Sequence, residues 1–188
     1  MVHKLVPGSP LWDDPGIGTG ASAQDLTKSL VGAWRLVSTE QRLSDGTSRP
    51  SPLYGPNGVG YLIYSESGRM CAVLMDPNSA RWKSEESPTD AELRSRFEHF
   101  VAYCGRYEVN EEQGFVVHHV EIDLVPNSVG TDLKRHISLE GNRLKLRPAE
   151  PLPKGVLEYT LTWERVNGSA VGRSQVMRWH NSNKSDVQ

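Results

Sequence analysis

GFVVHHVEIDLVPNSVGTDLKRHISLE, residues Gly114–Glu140, is the stretch whose reading decides the fold class. In its second half Leu133, Arg135, Ile137 and Leu139 alternate with Asp132, Lys134, His136 and Ser138. In its first half Val116, His118, Val120, Ile122 and Leu124 alternate with more polar neighbours. Side chains two apart on a strand share a face, so each half predicts a strand with one apolar side. Each apolar side also carries a misfit, an imidazole in one and a guanidinium in the other. A titratable or charged group facing an apolar interior is costly unless it is paired or wetted. Two such groups on neighbouring strands imply a lined cavity rather than a solid core. The opposite set, His119, Glu121 and Asp123, reads as a solvated face, and a one-residue register slip would turn it inward. Between the strands, Asn127 in the run Pro126 to Thr131 is a candidate donor at a cavity mouth; the competing reading is a turn serving backbone geometry.

Working outward, further strands are expected at Leu30 to Leu43, Gly58 to Ser65, Arg69 to Met75, Gly105 to Asn110, Asn142 to Arg147 and Gly155 to Val166. Glu66-Ser67-Gly68, Glu111-Glu112-Gln113 and Glu140-Gly141 supply hairpin turns. One helix interrupts the series. Thr89-Asp90-Ala91-Glu92 has the pattern of a capping box, and Leu93, Phe97, Phe100, Val101 and Cys104 follow at helical spacing, with Gly105 as the stop. The expectation is therefore an all-β fold: an eight-stranded antiparallel up-and-down barrel with one amphipathic helix between strands three and four, plugging one end or covering one side. Closure removes exposed edges and leaves room for one small ligand. A two-sheet sandwich is the structural rival.

The chain has 188 residues, with 21 basic and 23 acidic, a net charge of −2. That is enough for one domain with a core, and it gives no reason to expect nucleic acid or an anionic membrane as partner. No apolar run is long enough to span a bilayer, and cytoplasmic residence is the default expectation. Residues 1–25, rich in Pro, Gly, Ser and Asp, read as an N-terminal arm in which Trp12 stands out. Residues 26–166 form the expected domain, and 167–188, containing VMRWHN, a polar tail. Cys71 and Cys104 lack metal-like spacing and read as buried free thiols.

Gly32-Ala33-Trp34 resembles the Gly-x-Trp signature of lipocalins, with Trp163 and Arg165 placed so that an arginine can cross that tryptophan at the barrel base. LVGAWRLVS, GRMCAVLM, FEHFVAYCGRYEV, VVHHVE, PNSVGT and LTWERV are together similar to the small lipocalin-like domain family of bacteria and fungi, from about Leu30 to Val166. The resemblance implies an inner cavity and, through fungal members associated with secondary metabolism, cofactor-free cyclase or isomerase chemistry. Fold alone does not fix function.

The inward set on the predicted strands offers Tyr103, Tyr107, Tyr159, Trp163, His118 and Arg135 within walls that include Leu133 and Val120. An apolar pocket with a few convergent polar groups is the usual form of a small-molecule site. His118 is the candidate general base or acid. Arg135 is the candidate clamp for a carboxylate, phenolate or enolate, or pairs instead with Glu121, Glu108 or a carbonyl. Tyr107 is the candidate proton relay. Tyr103, Tyr159, Trp163, Asn127, Leu133 and Val120 are candidate ligand contacts. No zinc site is expected, because His118 and His119 point to opposite faces and no further cluster completes a tetrahedral set. No cofactor is expected, since phosphate loop, nucleophile elbow and dinucleotide fingerprint are missing from the sequence. The set predicts a cofactor-independent isomerase or cyclase acting on a small hydrophobic, oxygenated natural-product intermediate. The alternative is a non-catalytic carrier of a small hydrophobic ligand. A homodimer is compatible with either.

Overall fold

The computed structural model describes residues 24–167. Trp12 and VMRWHN lie outside the described residues. Nine antiparallel strands form one sheet: β1 (Gly32–Leu43), β2 (Ser48–Pro50), β3 (Val59–Tyr64), β4 (Arg69–Met75), β5 (Phe100–Asn110), β6 (Phe115–Asp123), β7 (Asp132–Glu140), β8 (Arg143–Pro148) and β9 (Val156–Arg165). Eight of them run in chain order around the ring, and β1 pairs with β9 to close it. The short β2 was not expected. It pairs with Glu40–Arg42 of β1, beyond the reach of β3.

Register shifts on β1 and β6, with a third on β9 that leaves Leu157 exposed opposite Arg42 and Leu43, set which residues face inward. On β1 the pairing shifts between Leu36 and Ser38, so that burial passes from Trp34 and Leu36 to Thr39 and Gln41. On β6 the shift lies opposite Cys104 and Gly105. Val116, His118 and Val120 face in as the alternation predicts, but Ile122 is 67 % exposed. The extra residue reverses the alternation, so the expected inward run stops at Val120 and Asp123 turns inward across from Tyr103.

The helix is shorter than its apolar spacing suggests. A helix α1 (Gln24–Leu30), not expected from the sequence, precedes β1, and α2 (Asp90–Glu98) lies between β4 and β5. The capping box is present: Thr89 Oγ1 accepts from Glu92 N–H, and the Glu92 carboxylate accepts from Thr89 N–H at 2.7 Å. Thr89 N–H, Lys83 N–H and the Thr89 hydroxyl donate to that carboxylate and hold Glu92 down at about 2. The chain leaves the helix at His99, and Phe100 to Cys104 pair with β4 instead. Tertiary pairing overrides the helical spacing there. No residue of α2 is buried, and Leu93 and Phe97 are exposed, so the helix does not plug the barrel.

One end of the barrel is shut. Trp34 is fully buried and its indole N–H donates to Leu30 O at 2.8 Å. The Arg165 guanidinium lies 4.1 Å above the Trp34 ring and caps the backbone carbonyls of Val31 and Ser29. This is the crossing that the Gly-x-Trp resemblance implies, and it ties β9 to α1 through a cation–π contact and charge-assisted bonds.

Cys71 and Cys104 are joined in a disulfide rather than left as free thiols. They are direct partners on β4 and β5, with Cα atoms 4.1 Å apart. A separation of 33 residues hid a contact that strand pairing creates. No helix of the described residues is long and apolar enough to cross a membrane.

Candidate functional site

The other end of the barrel opens into a cavity of about 240 Å³. Its deep wall is apolar, from Leu62, Ala72 and Leu74 on one side to Leu146 and Leu161 on the other. Polar groups enter from four strands. Tyr103 comes from β5, His118 from β6, Arg135 from β7, and Tyr159 with Trp163 from β9. Tyr54 reaches in from the segment between β2 and β3 and is itself only 5 % exposed.

His118 is the centre of a hydrogen-bonded chain. Its Nε2 meets the Tyr64 hydroxyl at 2.7 Å and its Nδ1 meets the Tyr103 hydroxyl at 3.0 Å. A neutral imidazole has one donor and one acceptor nitrogen. One phenol therefore donates to the ring and the other accepts from it. Burial, then the nearby Arg135 and His119, pushes His118 down to about 3. Burial likewise pushes the hydroxyls of Tyr54, Tyr64, Tyr103 and Tyr159 upward. The whole cluster is held neutral, because a low-dielectric wall penalises the charged form of each.

Arg135 is the exception, and it carries its own counter-ion. Nη1 donates to the Glu150 carboxylate and, at 2.9 Å, to Lys134 O. The other Glu150 oxygen accepts from Lys134 N–H at 2.7 Å. Glu121 is held instead by Arg69 and Arg106, and Glu108 stands near His119. The sequence offered Glu121, Glu108 or a carbonyl as partners; a carbonyl is found, that of Lys134, while Glu150 was not named and only the turn after β8 brings it into place.

Six of the nine candidate residues line the cavity: Tyr103, His118, Leu133, Arg135, Tyr159 and Trp163. Three do not. Tyr107 sits among core residues near the shut end, where its hydroxyl donates to Ser65 O at 2.9 Å. Val120 is buried but is not part of the cavity wall. Asn127 is exposed in the 3-10 turn Pro126–Ser128, and its neighbour Ser128 lines the mouth instead. Tyr54, Tyr64, Asp123 and Ser128 were missed. Tyr64 could have been found from the alternation Leu62, Tyr64 on its strand; Asp123 could not, since a bulge puts it there.

The sequence model of the lipocalin-like domain matches residues 31–166. The chain belongs to the lipocalin-like domain family. It is 32 % identical over 107 residues to a protein of Aspergillus oryzae named 4'-hydroxy-3'-methoxypropiophenone carrier protein ppsC, a match spanning 52 % of this chain and 96 % of that protein. Among solved structures, a lipocalin-like protein from Bacteroides uniformis shares 13 % identity, covering 73 % of this chain and 98 % of its own at a TM-score of 0.37. A protein from Bacteroides eggerthii shares 10 % identity, covering 73 % and 99 % at a TM-score of 0.38.

Proposed function

We propose that this lipocalin-like protein binds and carries a small, oxygen-bearing aromatic molecule in its barrel. The observation that carries the reading is the cavity itself: an apolar hollow entered by a few neutral polar groups, the usual form of a small-molecule site. Two of those groups are short of partners. The Tyr159 hydroxyl and Trp163 Nε1 are buried without a protein hydrogen bond, although Tyr159 stands beside Ser51 and Tyr54. An unpaired buried donor costs about 1–3 kcal/mol, and a guest with a carbonyl, ether or phenol oxygen offers the missing acceptor. The related carrier from Aspergillus oryzae supports the same class of guest, an aryl ketone with phenol and methoxyl groups.

The catalytic alternative, a cofactor-independent isomerase or cyclase, needs a base wherever it works by proton transfer rather than by holding a reactive conformer. His118 is a poor one: both nitrogens are engaged by tyrosines and its basicity is suppressed. Arg135 is committed to Glu150, and Tyr107 lies outside the cavity wall. The geometry therefore favours holding over converting.

Calorimetric titration with 4'-hydroxy-3'-methoxypropiophenone tests the reading, followed by chromatography of the recovered compound. One molecule per chain, returned chemically unchanged, is the expected result. Conversion to a product would replace the carrier reading with the catalytic one, and an absence of binding would remove this guest class.

A further inference from the structure

We infer that the cavity sorts its guests by charge, admitting neutral oxygen-bearing aromatics and refusing carboxylates, and that Asp123 enforces the refusal. The inference rests on the carrier reading and deepens it by naming what the site excludes.

It grows from the charges around the cavity mouth. Among the described residues, Arg135 supplies the only Lys or Arg side chain in the cavity wall, and by itself it would mark an anion site. Glu150 reverses that reading. Its two oxygens already take Arg135 Nη1 and Lys134 N–H. Arg135 is mostly buried, with 14 % of its side chain exposed. An incoming carboxylate would have to compete with one that the fold holds in place, and separating a shielded ion pair strands the charge left behind.

Asp123 then places a carboxylate in the wall itself, whereas Glu150 stands behind Arg135. The β6 bulge turns it inward, level with Tyr103 on the neighbouring strand. Its Oδ1 accepts from Val125 N–H at 2.6 Å, which fixes its direction. No ion pair among the described residues includes it. The mouth thus presents one cation, already answered by Glu150, and one further anion. Like charges repel strongly where water is scarce, so an anionic guest loses hydration and meets repulsion together. A ketone, phenol or methoxyl group escapes both costs and can bond to the tyrosine hydroxyls.

A matched pair of probes tests the inference on the full chain by calorimetry. One is 4'-hydroxy-3'-methoxypropiophenone, and the other is 4-hydroxy-3-methoxybenzoate, the same ring with a carboxylate for the acyl group. At about pH 6 the phenol of each keeps its proton while the benzoate is charged. The ketone is expected to bind at least about tenfold more tightly. Asp123→Asn keeps an amide oxygen for Val125 N–H and removes the charge, so the ratio of the two affinities should shrink severalfold. Glu150→Gln, which unmasks Arg135, should shrink it as well. Equal binding of both probes by the wild-type chain overturns the inference and leaves the carrier reading standing. An undiminished ratio in Asp123→Asn overturns the role given to that residue. A ketone that fails to bind removes this guest class from the carrier reading, and the inference with it.

Discussion

At the scale of single residues, the chemistry of the site is a matter of which polar atoms are already spoken for. His118 is only 1 % exposed, and tyrosine hydroxyls meet both of its nitrogens. Its proton affinity follows. The unfolded chain takes up a proton on this histidine near pH 6.5, whereas the folded chain refuses it until about 3. In that window the unfolded state binds more protons, so stability falls as the pH falls. Each unit of displacement is worth about 1.4 kcal/mol, and the loss between those limits should reach a few kcal/mol. Urea unfolding at a series of pH values measures it. His118→Gln keeps a donor and an acceptor but has nothing to titrate, and its stability should decline less steeply. If the two proteins give parallel curves across that range, His118 is not the group responsible. The residue types were legible in the sequence here: an imidazole and a guanidinium stand out on apolar faces, and the structure places both side chains in the cavity wall. Their partners were not legible, because Tyr64 and Glu150 come from segments distant in the chain.

At the scale of elements, the bulges do more than the strands to shape the site. The β6 bulge sits against β5 where Gly105 passes unusually close. A Cβ built on Gly105 would stand 1.9 Å from His119 O, a backbone atom with no freedom to swing away. Gly105→Ala must therefore force the two strands apart or undo the bulge. We expect a loss of about 3 kcal/mol or more in chemical unfolding, together with weaker aryl ketone binding, because Asp123 and Tyr103 are aligned by the same pairing. Retention of wild-type stability would show that the two strands part at little cost. Gly105 was read from the sequence as a helix stop, since Cys104 completes a plausible helical stripe and glycine commonly follows a helix. The β4 pairing decides otherwise: Cys71, Ala72, Val73, Leu74 and Met75 claim Phe100 to Cys104 as a strand. A short apolar run suits either element, and neighbours in space choose between them.

At the scale of the whole molecule, the barrel is two-ended. Trp34, Arg165 and the buried Leu30 of α1 lock one end, while the cavity opens at the other among chain segments with few buried apolar contacts. Hydrogen exchange should show the contrast. Amides of β1, β8 and β9 around Trp34, Leu144 and Trp163 should be protected most, and those of residues 76–99 and 124–131 least. Uniform protection from end to end would contradict this division. What the sequence determined by itself was the barrel: strand alternation, turn residues and the Gly-x-Trp motif are local signals, repeated eight times and mutually consistent. What only the tertiary structure decided was the inner surface. Bulges reverse the alternation partway along β1 and β6, a disulfide joins cysteines 33 residues apart, and Glu150 reaches Arg135 from a turn. Each depends on contacts between strands, and a one-dimensional pattern does not record how strands lie against each other.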